Sequence, residues 1–323
     1  MIEARLPPLD EIDSAAQTVY RAMPPTPQYR WPLLCERTGC SVWVKHENHT
    51  PIGSFKLRGA LVAVDRLRSA NPRVNEVIAA TRGNYGQSVA FAARRAGLSA
   101  TVVMPVGNSR EKNEAMRAFG AQLVEHGRDF DEAYAHAAVL AAGERRHLMP
   151  SFSPELVRGV ASYGMELFRA VTDLDAVYVP IGLGSGICGV MAARNALSPA
   201  TAVIGVVSTA LPAYQRSFAA GESRPTGPAP TIADGMAVRV PDEQALALIL
   251  AGVDRVVAVA EAELRSAMRA YYTDTHNVAE GAAAGPLAAL LQERSRMRGS
   301  RVGLVLSGGN IDRELFAEVL AGS

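Results

Sequence analysis

The chain has 323 residues, of which 48% are hydrophobic and 20% charged, and its formal net charge is +1. This composition is typical of a globular protein and excludes wholesale disorder, while the balanced charge offers no basic surface for nucleic acid or an anionic membrane. The length predicts about two domains. Three cysteines are too few for a disulfide framework, which favours reduced thiols and a cytoplasmic location. Residues 1–10 lack the basic start and apolar run of a signal peptide, and no stretch approaches the about 18 apolar residues that span a membrane.

Short β-rich segments alternate with segments of helical periodicity along the chain. The predicted strands are residues 41–46, 76–80, 100–105, 122–124, 176–180, 203–207 and 301–306. The predicted helices are residues 55–69, 85–96, 110–119, 130–143, 154–171, 187–197, 261–272 and 285–298. Such alternation favours an α/β fold with mostly parallel sheets flanked by helices, in which ligands bind at the carboxyl ends of strands.

Three glycine-rich turns follow predicted strands, at the positions where such a fold binds ligands. They are residues 81–86 (TRGNYG), 182–189 (GLGSGICG) and 307–310 (SGGN). Glycine permits close approach of the backbone to a ligand, and a helix that begins after the turn can hold an anion at its N-terminus. The second turn contains G-x-G-x-x-G but lacks the later acidic residue that binds a dinucleotide ribose. It therefore favours a monophosphate site, and a turn that only packs helix on strand is the alternative.

Lys56 lies in the segment GSFKLRGA (residues 53–60), between the apolar neighbours Phe55 and Leu57. A lysine in partly apolar surroundings can have a lowered pKa and act as a nucleophile or base. A lone lysine at the start of a helix is more often a solvated cation, and the local pattern leaves both interpretations open.

Taken in order, these motifs resemble those of the fold-type II pyridoxal-phosphate enzymes, in particular the serine/threonine dehydratase (threonine ammonia-lyase) family. GSFKLRGA resembles the cofactor-lysine motif, TRGNYGQS the S-x-G-N-H-x-Q segment, VPIGLGSGICG the phosphate loop and LSGGN the pyridine-nitrogen site. Residues 231–238 (TIADGMAV) and 280–284 (EGAAA) match further family segments. The resemblance covers nearly the whole chain. It implies a two-domain, tryptophan-synthase-β-like fold, with a small domain of residues 66–154 inserted into a large cofactor-binding domain of residues 1–65 and 155–323.

The resemblance also implies roles for individual residues. Lys56 would bind pyridoxal 5'-phosphate covalently and then act as the catalytic base. The other residues implied to bind the cofactor are Phe55, Asn84, Gly182, Leu183, Gly184, Ser185, Gly186 and Ser307. Asn84 is implied to reach the phenolic oxygen of the cofactor, and Ser307 its ring nitrogen. The family usually has four glycines where residues 182–185 read GLGS, and the serine hydroxyl adds a hydrogen-bond donor there.

Ser307 carries the prediction of the reaction type. A hydroxyl donates to a neutral ring nitrogen, whereas a carboxylate would hold the ring protonated as a strong electron sink. A neutral ring favours substrates that expel a β-leaving group promptly, and so favours β-elimination over transamination. The implied reaction removes the β-hydroxyl of L-threonine or L-serine and yields a 2-oxo acid and ammonia, with the cofactor phosphate as the acid for the leaving group. A bulkier or acidic substrate (hydroxyaspartate, phenylserine or diaminopropionate) and β-replacement of the cysteine synthase type are the alternatives.

Thr81, Arg82 and Tyr85 are implied to contact the substrate. Relatives that racemise serine have a serine in place of Arg82, and a guanidinium cannot accept a proton, so racemisation is not expected. Arg82 is instead predicted to bind a substrate carboxylate, which can be a second one on the side chain. An arginine that faces solvent or pairs internally is the alternative. His276 and Cys188 are predicted to be structural.

Metal-dependent relatives place carboxylates at the positions of Val207 and Ala213, so no metal site is expected in this chain. The expected partners are a small amino-acid substrate and a second copy of the chain in a homodimer. Neither nucleic acid nor a membrane is an expected partner.

Overall fold

A computed structural model describes residues 5–322 of the chain, so the first and last residues of the predicted large domain and part of the segment 1–10 lie outside the described residues. The strands are β1 (Gln28–Arg30), β2 (Ser41–His46), β3 (Glu76–Ala80), β4 (Ser99–Met104), β5 (Ala121–Glu125), β6 (Arg146–Leu148), β7 (Ala176–Pro180), β8 (Ala202–Ser208), β9 (Arg255–Val259) and β10 (Arg301–Leu306). The helices are α1 (Leu9–Tyr20), α2 (Pro32–Thr38), α3 (Lys56–Ala70), α4 (Asn84–Arg95), α5 (Arg110–Ala118), α6 (Phe130–Leu140), α7 (Pro154–Ala170), α8 (Ser185–Leu197), α9 (Ala213–Ala220), α10 (Glu243–Gly252), α11 (Glu261–Thr275), α12 (Gly281–Gln292), α13 (Arg294–Met297) and α14 (Arg313–Ala321). Within residues 5–322, none of these helices is long and apolar enough to cross a membrane.

The larger sheet has six strands in the order β1-β2-β10-β7-β8-β9 and is parallel except for β1. Alternate residues of its central strands enter two separate hydrophobic cores. Val177 and Val179 pack with α7 and α8 on one face, while Tyr178 and Ile204 pack with α11 and α12 on the other. Because helices cover both faces, the central strands are apolar throughout and were recognisable in the sequence.

The smaller sheet has four parallel strands in the order β5-β4-β3-β6. Val77 and Ala79 of β3 pack with α3 and α4, whereas Ile78 and Ala80 pack with α6 on the opposite face. All four strands fall within the segment 66–154 that was predicted to form an inserted domain. The exact domain limits stay a prediction.

One predicted helix, residues 285–298, is wrong in its bounds. The structure has α12 at Gly281–Gln292 and a separate α13. The predicted start is four residues too late, and Pro286 lies inside the helix. The helix instead begins at Gly281, where a side chain could not fit because a Cβ would lie 2.4 Å from the Ile232 carbonyl oxygen. Close packing on another segment, which local sequence does not show, therefore sets this helix start.

Residues 208–260 carry no predicted element, yet the structure has α9, α10 and β9 there. Helix α10 reads EQALALILAG, an almost continuous apolar run without the periodicity of an amphipathic helix. Strand β9 is a half-buried edge of the larger sheet and begins with an arginine. Both elements depend on tertiary packing rather than on a local pattern.

Candidate active site

A cleft of about 590 Å³ lies where the carboxyl ends of β3, β7 and β10 meet. Each of the three glycine-rich turns follows one of these strands, and the cleft brings together the turn of the smaller sheet (β3) and those of the larger sheet (β7 and β10). Every residue predicted to bind cofactor or substrate lines this cleft. The roles assigned to those residues stay predictions, but the side chains that they need lie together.

Lys56 is one of only three lysines in the chain. The other two are paired, since Lys45 Nζ donates to a Glu166 oxygen at 2.6 Å and Lys112 Nζ to an Asp234 oxygen at 3.2 Å. Lys56 is half-buried and makes no hydrogen bond or ion pair with any residue that the structure describes. Its Nζ lies 4.7 Å from the centre of the Phe55 ring. Lys56 is therefore the lysine whose amine is available to a ligand.

The surroundings of Lys56 favour its neutral form. Burial lowers the pKa of the Lys56 amine, the Glu280 carboxylate partly opposes this shift, and the Lys112 ammonium adds to it. A lowered pKa leaves more of the amine unprotonated at a given pH, and the unprotonated amine is the form that attacks a carbonyl carbon. The site therefore suits a lysine that binds an aldehyde cofactor and accepts a proton.

Lys112→Gln is expected to shift covalent cofactor binding to higher pH. Removing the Lys112 charge withdraws a repulsion that disfavours protonated Lys56, so the pKa of Lys56 rises. Absorbance of the apoprotein mixed with pyridoxal phosphate, followed from about pH 6 to about pH 10, measures the midpoint. Lys112→Arg keeps the charge and serves as the control. If the pH midpoint of cofactor binding is unchanged or lower in Lys112→Gln, the Lys112 charge does not lower the pKa of Lys56.

The second glycine-rich turn leads directly into α8, which begins at Ser185. Gly184 has φ +108°, and a Cβ there would lie 2.5 Å from Ala245 Cβ. At Gly182 a Cβ would lie 2.4 Å from the Gly235 carbonyl oxygen. The chain departs from the four-glycine pattern at residues 183 and 185. It keeps glycine at residues 182 and 184, where an added Cβ would not fit. The free N–H groups at the start of α8 can therefore still hold a phosphate.

Gly184→Ala is expected to weaken cofactor binding by about tenfold or more, because the turn must move away from Ala245 and leave its positive φ. Gly221→Ala is the matched control. Gly221 also has a positive φ (+72°), but it does not line the cleft and no atom lies within 4 Å of its added Cβ. Titration of both apoproteins with pyridoxal phosphate gives the two affinities. Equal affinities would show that the geometry of Gly184 does not matter to the site.

Asn84 is held from two sides within the cleft wall. Its Nδ2 donates to the Glu280 carboxylate oxygens at 2.8 and 3.0 Å, and its Oδ1 accepts from Asn310 Nδ2 at 2.8 Å. The Asn310 amide also donates to the Ile52 carbonyl oxygen at 2.8 Å. Glu280 and Asn310 thus fix the orientation of the Asn84 amide. Both residues lie in segments that carry the family resemblance, but neither was predicted as a site residue.

Ser307 follows β10 directly and is buried. Its carbonyl oxygen accepts from the Phe55 N–H at 3.1 Å, which ties the third turn to the start of α3. The Ser307 hydroxyl has no hydrogen-bond partner among residues 5–322 and lines the cleft. The Phe55 ring packs edge-on to Tyr163, with ring centres 6.0 Å apart. A ring nitrogen of a ligand can therefore meet a free hydroxyl beside an apolar wall.

The residues predicted to contact substrate differ in whether their polar groups already have hydrogen-bond partners. Thr81 Oγ1 accepts from the Gly83 N–H at 3.0 Å, which shapes the first turn. The Tyr85 hydroxyl donates to the Pro150 carbonyl oxygen at 2.6 Å, so Tyr85 offers its ring and not its hydroxyl to the cleft. Arg82 is exposed and makes no hydrogen bond or ion pair with any described residue.

His276 and Cys188, which were predicted to be structural, are not among the described residues that line the cleft. His276 ends α11 in a left-handed conformation with φ +52° and is exposed. Cys188 is fully buried on α8, and burial raises the pKa of its thiol. A buried protonated thiol packs as a small apolar side chain.

The cleft contains three groups that suit pyridoxal phosphate. They are the Lys56 amine and the Ser307 hydroxyl, both without partners among the described residues, and the N-terminus of α8 after its crowded glycines. A family model for the pyridoxal-phosphate dependent enzymes matches residues 19–308. The chain belongs to this family. Its cofactor is pyridoxal phosphate.

Comparison with individual relatives indicates the class of enzyme within this family. The chain is 35% identical to the L-threonine ammonia-lyase of Thermotoga maritima, over 97% of this chain and 78% of the relative. It is 34% identical to an L-threo-3-hydroxyaspartate ammonia-lyase of a Pseudomonas species, over 92% and 93% of the two chains. The structure of the processed threonine deaminase isoform 2 of Solanum lycopersicum matches with a TM-score of 0.88 at 28% identity, over 100% of this chain and 99% of that one. These comparisons confirm the predicted fold class and the resemblance to the serine/threonine dehydratases, and they identify an enzyme of the ammonia-lyase type.

Proposed function

We propose that this enzyme removes the β-hydroxyl group of L-threonine or L-serine and releases a 2-oxo acid and ammonia. The observation that carries the proposal is the pair of free groups in the cleft. The Ser307 hydroxyl, where a carboxylate would favour other reactions, lines the same cleft as the unpartnered Lys56 amine. The names of the Thermotoga and Solanum relatives support threonine as a substrate.

Different residues of the cleft have different roles in such an elimination. Bound pyridoxal phosphate supplies electron withdrawal that acidifies the Cα proton of the amino acid. Lys56 Nζ accepts that proton, because the lowered pKa leaves its amine able to act as a base. The N–H groups at the start of α8 would hold the phosphate, and the Ser307 hydroxyl would donate to the ring nitrogen. Loss of the β-hydroxyl as water leaves an enamine, which water hydrolyses to the 2-oxo acid and ammonia.

A dicarboxylic hydroxy amino acid is a second candidate substrate, because the exposed Arg82 lines the cleft. The name of the Pseudomonas relative supports this class. No contact in the cleft favours phenylserine or β-replacement in particular.

The holoenzyme incubated with L-threonine or L-serine tests the proposal. We expect equal amounts of 2-oxo acid and ammonia, at a rate that sulfide does not change. Trapping of the product by sulfide with loss of the 2-oxo acid would indicate β-replacement. Absence of ammonia from every hydroxy amino acid would overturn the proposal. The expected homodimer and cytoplasmic location belong to the same proposal, and light scattering on the purified protein measures the former.

A further inference from the structure

We infer that Arg82 makes the cleft selective for β-hydroxy amino acids that carry a second carboxylate on the side chain. The inference rests on the proposed elimination and names the substrate class of the same site. Among residues 5–322, Arg82 and Lys56 are the two cationic side chains of the cleft without a hydrogen bond or ion pair.

Four cationic side chains line the cleft: Lys56, Arg82, Lys112 and Arg239. Lys112 is paired with Asp234 at 3.2 Å. Arg239 Nη1 lies 3.2 Å from Asp129 and 3.3 Å from Asp131 carboxylate oxygens. Lys56 is the residue that binds the cofactor. Among the described residues, Arg82 is thus the one cation of the cleft wall that is left without a partner or a task.

The backbone around Arg82 is fixed, so the side chain is the part that can adapt to a ligand. On one side the Thr81 hydroxyl accepts from the Gly83 N–H, and on the other the Asn84 amide is held by Glu280 and Asn310. Rotation about the side-chain torsions alone can bring the guanidinium to a ligand in the cleft.

Two anion-binding groups occur close together at this turn. Helix α4 begins at Asn84, two residues after Arg82, and its first N–H groups can hold one carboxylate. The Arg82 guanidinium, which is always protonated, can hold another through two parallel N–H donors. Threonine and serine have a single carboxylate and leave one of these groups unused. A β-hydroxy dicarboxylic amino acid uses both.

Two of the carboxylates that line the cleft, Asp129 and Asp131, already contact a cation. Asp129 and Asp131 would attract a cationic side chain such as that of 2,3-diaminopropionate. Both already share Arg239, which joins the start of α6 to the segment before α10. Each carboxylate that lines the cleft already has a partner, since Asp234 pairs with Lys112 and Glu280 accepts from Asn84, whereas Arg82 has none among the described residues.

The test compares kcat/KM of the holoenzyme on L-threo-3-hydroxyaspartate, L-threonine and 2,3-diaminopropionate. We expect hydroxyaspartate to be the preferred substrate. The ratio of kcat/KM for hydroxyaspartate to that for threonine should fall about 10- to 100-fold in Arg82→Gln, with Arg82→Lys in between. An unchanged ratio, equal losses on both substrates or a preference for diaminopropionate overturns the inference. Equal losses would assign Arg82 to the carboxylate common to all amino acids.

Arg94→Gln is the matched control, since Arg94 is an exposed arginine on α4 that does not line the cleft. It should leave the substrate ratio of the wild type intact. Calorimetry of the holoenzyme with L-aspartate and L-alanine, which lack a β-leaving group, separates this inference from the proposed reaction. Arg82→Gln should weaken L-aspartate binding about tenfold or more relative to L-alanine. If no hydroxy amino acid is deaminated but this selective loss occurs, the proposed function fails and the charge selectivity of Arg82 stands.

Discussion

Lys56→Ala is expected to abolish covalent cofactor binding and to lower the dehydratase kcat by about 10³-fold or more. One change removes both the amine that attacks the cofactor aldehyde and the base that takes the Cα proton. Neither remaining lysine can replace it, because Lys45 and Lys112 are held in ion pairs with Glu166 and Asp234. The activity left in the variant should rise when a small primary amine is added, since the missing group is an amine.

Borohydride reduction of the wild-type holoenzyme followed by peptide mapping checks the assignment. With three lysines in the chain, the labelled peptide identifies the residue directly. The label should lie on Lys56 in the wild type and also in the control Lys112→Arg, which keeps the neighbouring charge. A label on Lys45 or Lys112 would disprove the assignment and with it the mechanism built on Lys56.

Arg58→Met is expected to lower the free energy of unfolding by about 3–5 kcal/mol. Arg58 is fully buried and donates to Glu47 at 2.7 and 3.0 Å and to Glu166 at 2.6 and 2.9 Å. Without it, Glu47 keeps only the Thr26 hydroxyl as a side-chain partner, whereas Glu166 keeps Lys45. A buried carboxylate without its cation lowers the free energy of unfolding by far more than the intact ion pair adds to it.

Urea unfolding of Arg58→Met against Arg66→Met measures this effect. Arg66 is an exposed arginine on the same helix α3, and its change should stay within about 0.5 kcal/mol of the wild type. The double variant Arg58→Met with Glu47→Gln should recover part of the loss, because the neutral amide removes the unpaired charge. If Arg58→Met costs no more than Arg66→Met, the buried network does not stabilise the fold.

The buried ion pairs of Arg58 also hold the helix that carries Lys56. Arg58 lies two residues after Lys56 on α3 and joins this helix to Ser162 and Glu166 of α7. The start of α3 is therefore anchored from within the core while the Lys56 amine faces the cleft.

The sequence by itself was enough to predict the buried apolar strands and the glycine-rich turns that follow them. Strands 41–46, 176–180 and 301–306 match β2, β7 and β10 residue for residue. For β7 and β10 the reason is that buried parallel strands are nearly continuous apolar runs between turns. The glycine-rich turns were predicted at the carboxyl ends of strands, where an α/β fold binds ligands. Every residue predicted to bind cofactor or substrate lines one cleft, although β3 belongs to the smaller sheet and β7 and β10 to the larger one.

Only the tertiary structure decided which side chains act together in that cleft. Lys112 pairs with Asp234 across 122 residues, Asn84 with Glu280 across 196 and Asn84 with Asn310 across 226. No periodicity or spacing indicates such pairs, because their distances are set by how the two sheets and their helices pack. The same packing left Lys56, Ser307 and Arg82 without partners among the described residues. An unpaired polar group is a property of its three-dimensional surroundings, and no single position in a sequence contains it.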